Sequence, residues 1–253
     1  MPDFRSLNES LFNTIRVLGT PFAYRCTGLE HIPQKGPAIF VANHLGSTGP
    51  IQMILSVPVR LQPWVIAEMI DYERAPRYLF DDFVHPAWHL QGRAGMIVST
   101  LVSRLSVRLL RGLGSVSVDR NRGTTLSPFR HSLSLLKEGK NLLVFPEDLY
   151  LPVKPETNMR PFMCGFILLA PLYQGATGAP LPLIPAAVSQ KCRTISIGVP
   201  VYYEYRGVRN REELRRICTR LEVDIHRMYR SLTNTILMIW VMNIIERAVI
   251  RFC

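Results

Sequence analysis

The sequence lacks any apolar run close to the roughly 18 residues that a membrane-spanning helix needs. It also lacks internal repeats and low-complexity linkers. The stretch from Met1 to Asn13 carries Asp3 and Glu9 and has no basic region before a long apolar segment, so it does not fit a signal peptide. These absences predict that the protein does not cross a membrane, and they leave open that it lies on one.

Cysteine is scarce and without pattern. The five cysteines are Cys26, Cys164, Cys192, Cys218 and Cys253. Their number is odd, and none has the paired spacing of zinc or redox motifs. We therefore expect reduced cysteines, a cytosolic compartment and no metal site.

Acidic residues are fewer than basic ones. The sequence has 19 Asp and Glu and 30 Lys and Arg, which gives a formal net charge of +11. Nearly all the basic residues are arginine, which binds phosphate through a planar, two-point guanidinium. The excess favours anionic lipid, phosphorylated substrate or nucleic acid as partner, and the alternative is a biased genome with a solvated basic face. No nucleic-acid-binding motif is present, so we expect no nucleic-acid partner.

The length and composition fit one large globular domain. The chain has 253 residues, of which 47% are hydrophobic, and this excludes a disordered protein. Within 1–253 we distinguish an amphipathic N-terminal helix at 1–20, an α/β core at 28–203 and a C-terminal helical segment at 211–253.

Both ends of the chain carry apolar residues at helical spacing. At the N-terminus these are Leu7, Leu11, Phe12, Ile15 and Leu18; at the C-terminus they are Ile236, Leu237, Ile239, Trp240, Ile244 and Ile245, bracketed by Arg230, Arg247 and Arg251. Such segments are typical of helices that lie in a membrane interface and are too short to span it. The alternative is that they pack on the core or on a partner subunit.

Short apolar runs between helical patterns predict a largely parallel sheet. The predicted strands are 38–42, 64–67, 115–118, 141–145, 183–188 and 195–203. A helix is predicted over 96–113, with Arg104, Arg108 and Arg111 on one face and Val102, Leu105 and Leu109 on another. A second helix is predicted from a Ser127 cap, with Pro128 at its first position, to Gly139. The stretch 68–95 is interpreted as an insertion over the site.

Four short motifs resemble the lysophosphatidic-acid acyltransferase family of glycerolipid acyltransferases and together cover about residues 28–188. The family's Asn-His, four residues, Asp-Pro motif is similar to Asn43-His44 followed by Gly49-Pro50. The family's glycine, apolar residues and Asp-Arg resemble Gly114 to Asp119-Arg120. The family's Phe-Pro-Glu resembles Phe145-Pro146-Glu147, with a Pro-Phe-x-x-Gly segment at 161–165. Its Val-Pro-Val-like strand resembles the run around Pro185.

The resemblance implies a mixed, mostly parallel sheet flanked by helices, and acyl transfer from a thioester to a hydroxyl. His44 would be the general base, because an alcohol is a poor nucleophile until its proton is removed. Arg120 would bind an acceptor phosphate, and Glu147 would position the glycerol part or the motif's own backbone. Asn43, Gly114, Asp119, Phe145, Pro146 and Pro185 complete the substrate-binding set.

Two of the departures from the family's motifs bear on the chemistry, whereas Asp148 in place of a motif glycine is tolerable because Asp adopts left-handed backbone geometry more readily than most residues. Gly49 stands where the family has the Asp that orients the histidine, and Tyr150 stands where it has an arginine. Ser47, Thr48, a backbone carbonyl or a carboxylate of 68–95 could orient His44 instead, and Lys154 or Arg160 could replace the missing cation.

The expected function is therefore an O-acyltransferase of lipid metabolism at the cytoplasmic face of a membrane, peripheral or monotopic. It would use acyl-CoA or acyl-carrier protein as cosubstrate, a lysophospholipid or other lipid hydroxyl as acceptor, and no cofactor or metal. An anionic membrane surface is the expected partner. The alternative is a degenerate, lipid-binding or structural subunit of a membrane-protein complex.

Overall fold

The protein, described by a computed structural model, is an α/β protein with seven strands. The structure describes residues 13–14, 16–119, 126–204 and 211–252, with side chains at all of these positions except 82, 87 and 235–252. The strands are β1 (Arg25–Thr27), β2 (Ile39–Ala42), β3 (Leu61–Ile66), β4 (Val116–Val118), β5 (Asn141–Val144), β6 (Leu183–Ser189) and β7 (Thr194–Ile197). Helices in these ranges are α1 (Thr48–Ser56), α2 (Ala75–Leu79), α3 (His85–Trp88), α4 (Gly92–Leu113), α5 (Ser127–Lys137), α6 (Leu169–Thr177) and α7 (Arg211–Phe252).

The strands form one mixed sheet in the order β1-β7-β6-β2-β5-β3-β4. β2 pairs parallel with both β6 and β5, and β3 pairs parallel with both β5 and β4. β7 lies antiparallel to β6, with β1 parallel beside it. The prediction of a mixed, mostly parallel sheet flanked by helices is confirmed.

The central strand β2 is buried on both faces, as expected for a parallel strand with helices above and below. Ile39 and Val41 belong to the hydrophobic cluster that also contains Leu221 and Ile225 of α7. Phe40 belongs to a second cluster, on the opposite face. The carboxyl end of β2 therefore opens at the edge of a sheet whose two faces are already packed.

The stretch 68–95 is helical, a structure the sequence left unassigned. It contains a 3-10 helix (Ala67–Ile70), α2, a π-helical turn (Phe80–Val84) and α3. Pro76 lies in the first turn of α2, where a proline costs no hydrogen bond. Pro86 directly follows the π-helical turn, within a continuous helical stretch over 75–88.

Four predicted boundaries are wrong. β3 begins at Leu61, three residues before the predicted start at residue 64. β7 ends at Ile197 rather than continuing to residue 203, because Gly198 and Pro200 interrupt the ladder. Ser127 is the first helical residue of α5 rather than its cap, and Leu126 occupies the cap without a side-chain hydrogen bond. The helix predicted over 96–113 begins four residues earlier, at Gly92.

The expectation that all cysteines stand alone is wrong for two of them. Cys164 and Cys218 form a disulfide that joins the segment before α6 to α7, with their Cα atoms 5.5 Å apart. Cys26 and Cys192 are free thiols, and burial raises the pKa of the Cys26 thiol. Cys253 lies outside the described residues.

The described residues form no helix that is long and apolar enough to cross a membrane. They also contain no group of three or more His, Cys, Asp or Glu side chains arranged to hold a metal ion.

Candidate active site

His44 lies two residues beyond the carboxyl end of β2. The neighbouring parallel strand β5 ends at Val144, in register with Val41, and continues into Phe145 and Glu147. The carboxyl ends of parallel strands meet at one edge, where open α/β sheets place their ligand crevices. The first and third motifs are thereby brought side by side.

Glu147 ties these two strand ends together. Its Oε1 accepts the backbone N–H of His44 at 2.6 Å, and its Oε2 accepts the backbone N–H of Arg160 at 2.9 Å. The residue is 5% exposed. Burial raises the pKa of Glu147, although the two backbone hydrogen bonds and Arg160 oppose the shift. The carboxylate holds backbone, which was one of the two roles considered for it.

Asn43 and Pro185 lie within the sheet rather than on an open surface. The Asn43 amide donates to Val188 O at 3.0 Å and accepts from Val188 N–H at 2.7 Å, and the residue is fully buried. Pro185 lies opposite Val41 in β6, and its carbonyl accepts Gly198 N–H at 2.8 Å. Both side-chain polar groups of Asn43 therefore extend the β2–β6 ladder.

The His44 ring is half-buried and stands edge-on to Phe145, with ring centroids 5.2 Å apart. The chain then turns sharply, because Leu45 (φ 45°) and Gly46 (φ 61°) both adopt left-handed conformations. Such geometry is uncommon for leucine and is stored strain of the kind found at functional sites. The turn starts α1 only four residues after His44.

Gly49, in the first turn of α1, is packed against the backbone of His44. A Cβ at this position would overlap the His44 carbonyl oxygen and stand 2.8 Å from the Asn43 carbonyl oxygen. Those atoms belong to the main chain and cannot rotate away. An aspartate at residue 49 therefore does not fit this backbone.

Three of the five acidic residues in 68–95 are paired within their own segment. Glu68 and Asp71 pair with Arg74, and Asp81 pairs with Arg77. Glu147, which reaches the His44 loop, binds the main chain there rather than the ring.

The two ends of the second motif lie at opposite edges of the sheet: Asp119 lies further along the edge that carries His44, and Gly114, which precedes β4, lies at the other edge. Gly114 (φ 74°) ends α4 in the left-handed conformation that glycine favours, and Asp119 follows β4. β4 is three strands away from β2, which corresponds to about 14 Å along the sheet. Arg120 lies outside the described residues.

The segment after Glu147 is exposed but internally bonded. Tyr150 is 87% exposed, and its N–H donates to Asp148 Oδ1 at 3.0 Å. Arg160 donates through Nε to Leu151 O at 2.8 Å. Pro146 is buried, and its carbonyl accepts Met163 N–H at 2.8 Å. Isolated antiparallel bridges between Glu147 and Phe162 and between Lys154 and Met159 hold the two halves of this segment together.

Helix α7 holds the same segment through residues that the motifs did not indicate. Glu222 accepts Lys154 Nζ at 2.6 Å and Phe162 N–H at 3.1 Å. One turn later, His226 Nδ1 is 2.7 Å from Thr157 Oγ1, and burial and Lys154 lower the pKa of His226. With Cys218, these residues recur every four positions on one helix face, a spacing visible in the sequence.

The charge of Lys154 is therefore directed at α7. Lys154 forms an ion pair with Glu222. It therefore does not replace the arginine that the family's motif has at the position of Tyr150. Of the two candidate replacements, Arg160 has its charge nearer Glu147, where that charge opposes the rise in the Glu147 pKa caused by burial.

Comparison with solved structures identifies the fold class as that of an acyltransferase. A solved structure with a similar fold is that of the 1-acyl-sn-glycerophosphate (LPA) acyltransferase PlsC from Thermotoga maritima. It superimposes on this protein with a TM-score of 0.53. The match covers 92% of this chain and 84% of that chain at 18% sequence identity, so the likeness concerns the fold. No protein-family model and no curated protein matches the sequence.

Proposed function

We propose that the protein is an O-acyltransferase that moves a fatty acyl group from acyl-CoA or acyl-carrier protein to a lysophospholipid or another lipid hydroxyl. The observation that supports this most directly is the placement of His44 at the carboxyl end of the central strand, with its backbone fixed by buried Glu147. The acyltransferase fold of the comparison structure agrees with the proposal. The reaction takes place at the cytoplasmic face of a membrane.

In this reaction His44 acts as the general base. Its imidazole accepts the proton of the acceptor hydroxyl as the oxygen attacks the thioester carbonyl. The carbon–sulfur bond breaks as the ester forms, and the proton leaves with the thiol. Holding the histidine rigidly contributes to the rate, because a base that is already positioned loses little freedom in the transition state.

The surface beside His44 suits an acceptor with an apolar tail. Leu149, Tyr150, Leu151 and Val153 follow Glu147 and are each at least 40% exposed.

Arg120 binds the phosphate of the acceptor in this proposal, because arginine offers several fixed donors at the position where the motif places them. Replacing Arg120 with Ala should weaken binding of a phosphate-bearing lysolipid and leave the thermal unfolding midpoint unchanged. Equal binding would remove Arg120 from the site.

Gly49 favours a second candidate function, that of a lipid-binding or structural module without catalysis. The main-chain atoms of Asn43 and His44 occupy the space that an orienting aspartate would need. Loss of the orienting aspartate from a serine-protease triad lowers the rate by about 10⁴. A site with no substitute for it would be almost silent.

Thiol release from acyl-CoA and acyl-carrier protein, measured across a panel of lysophospholipids and hydroxylated lipids, separates the two functions. An enzyme releases thiol in step with ester formation for at least one acceptor, and the His44→Ala variant loses about 10²-fold or more of that rate. The module binds one of the same lipids and releases no thiol with any donor. Equal rates for wild type and His44→Ala would contradict the role of His44.

A further inference from the structure

Helix α4 has its large apolar residues on the outside. Ile97, Leu101 and Leu105 are 62%, 63% and 59% exposed, and they form one ridge at intervals of four residues. The buried side of the helix is formed instead by Gly95, Ser99, Ser103, Val107 and Leu113. A helix on a water-exposed surface normally has the opposite arrangement.

The small residues on the inner side explain how α4 packs. A Cβ at Gly95 would stand 2.6 Å from Leu90 O and 2.7 Å from the Phe80 ring, so the helix lies very close to its neighbours. Ser99 Oγ donates to Pro76 O, in α2. This side of α4 is complete, and Ile97, Leu101 and Leu105 are not needed for it.

Positive charge lies beside the exposed ridge. Arg93 continues it by one turn toward the N-terminus, and Arg104 and Arg108 are each three residues beyond one of its leucines. Arg93, Arg104 and Arg108 are exposed, and no acidic side chain in the described part of the chain pairs with them. We call Arg93, Ile97, Leu101, Arg104, Leu105 and Arg108 together the α4 outer face.

The helix is longer than the sheet it covers. Its last turn lies at the start of β3, where Arg60 Nη2 donates to Gly112 O at 3.1 Å. α4 is about 33 Å long and β3 about 20 Å, so the first turns of α4 extend past the carboxyl edge of the sheet. His44 lies at that edge.

We propose that the α4 outer face docks on an anionic lipid bilayer. Exposed aliphatic side chains enter the boundary between headgroups and acyl chains, and adjacent arginines bind lipid phosphates. The alternative for Arg104 and Arg108 is a solvated basic face. That alternative does not explain why Ile97 and Leu101 are exposed. The surface binds lipid whether or not His44 catalyses acyl transfer, so it can be tested apart from the reaction.

The test is co-sedimentation with vesicles of phosphatidylcholine alone and of phosphatidylcholine and phosphatidylglycerol in equal parts. Wild type should bind the mixed vesicles and bind the neutral ones weakly. The Ile97→Gln/Leu101→Gln variant should bind mixed vesicles about tenfold or more weakly, because each exposed side chain loses its transfer from water. Arg104→Gln/Arg108→Gln should lose a similar factor, and added salt should reduce the difference from wild type.

The matched controls change the same residue types elsewhere. Val199 and Val223 are isolated exposed aliphatics, and Arg130 and Arg215 are exposed arginines. Val199→Gln/Val223→Gln and Arg130→Gln/Arg215→Gln should bind the mixed vesicles like wild type. Unchanged thermal unfolding of all four variants shows that they fold.

Three results would overturn the proposal. One is a wild type that does not bind mixed vesicles, and another is equal loss of binding in the α4 variants and their controls. The third is a change from dimer to monomer in Ile97→Gln/Leu101→Gln without loss of vesicle binding, which assigns the face to a second copy of the chain. Acyl transfer to a short-chain acceptor in solution, measured in parallel, reports on the proposed reaction separately.

Discussion

Gly49 shows how one glycine fixes the backbone next to His44, the proposed base. Its Cα lies so close to the His44 carbonyl that even a methyl group has no room. Gly46, three residues earlier, is required for a different reason, because its φ of 61° is left-handed while the space around it is open. Substitution by alanine should therefore lower the free energy of unfolding by different amounts at the two glycines.

Gly49→Ala should destabilise the protein by about 2–3 kcal/mol, since overpacking against main-chain atoms forces the backbone to shift. Gly46→Ala should cost about 1 kcal/mol, the usual penalty for a left-handed L-residue. Urea unfolding of both variants measures these costs. Gly49→Asp should be at least as destabilised as Gly49→Ala and should not gain activity. A stable and more active Gly49→Asp would contradict this geometry.

Glu147 makes the stability of the site depend on pH. Because burial raises its pKa above 4.5 in the folded protein, the folded state holds the proton more tightly than the unfolded state does. The stabilisation from this proton is fully present below pH 4.5 and is lost as the pH rises through the raised value. Glutamine at this position cannot titrate and cannot accept both backbone N–H groups.

Glu147→Gln should therefore be less stable than wild type by about 1–3 kcal/mol through the lost hydrogen bond. That deficit should be largest at acidic pH and shrink as the pH rises toward neutrality. Urea unfolding of both proteins on the two sides of pH 4.5 measures it. A deficit that grows with pH would mean that the folded protein lowers the pKa of Glu147.

At the scale of elements, α7 supports the segment that positions Glu147 at the edge of the sheet. Glu222 binds Phe162 N–H and Lys154, and the same segment carries Arg160, whose N–H binds Glu147. The disulfide between Cys164 and Cys218 joins the segment to α7 one turn away. The position of Glu147 thus depends on a helix that is distant from it in sequence.

Glu222→Gln should weaken this support. We expect a loss of about 1–3 kcal/mol in the free energy of unfolding, because a partly buried acceptor loses its charge opposite Lys154. Hydrogen exchange at the Phe162 and Arg160 amides should become faster. Glu138→Gln breaks an exposed pair with Lys140 and is the control, with an expected change below about 1 kcal/mol. Equal protection of both amides in Glu222→Gln would refute the supporting role.

Elements with a strong local pattern could be predicted from the sequence, and those that depend on distant contacts could not. β2, β5 and β6 are apolar runs between breakers, and each lies within a residue of its predicted limits. α1 was missed because Gly49 and Pro50 in its first turn read as a loop. The disulfide was missed because its cysteines are 54 residues apart and meet only in the fold.

The candidate site shows the same division. The motifs indicated His44 and Glu147, and the parallel register of β2 and β5 brings them together. The obstruction at Gly49 and the support from Glu222 depend on the packing of α1 and α7 on that edge. The outward ridge of α4 was not predicted either, because helical periodicity shows that a helix has an apolar face without showing which face meets the core.

At the scale of the whole molecule, charge and surface apolarity point to one kind of environment. The net charge of +11 comes largely from arginines, and three of them lie beside the exposed ridge of α4. The sequence also predicts membrane contact through the helices at 1–20 and 211–253. Most residues of the first segment, and the side chains at 235–252 of the second, lie outside the described ones. An enzyme held at an anionic surface would meet lipid substrates at a high local concentration.

The central claim is that His44 is the base of an acyl transfer, and the most direct measurement is the amount of acylated lipid formed per protein molecule. It compares wild type with His44→Ala and with the surface control Val199→Gln/Val223→Gln, using the donor and acceptor that give the highest thiol release. The account predicts ester formation by wild type and the control, and a loss of about 10²-fold or more in His44→Ala with its fold intact. Ester formed at the wild-type rate by His44→Ala, or no ester from wild type with any donor and acceptor, would contradict it.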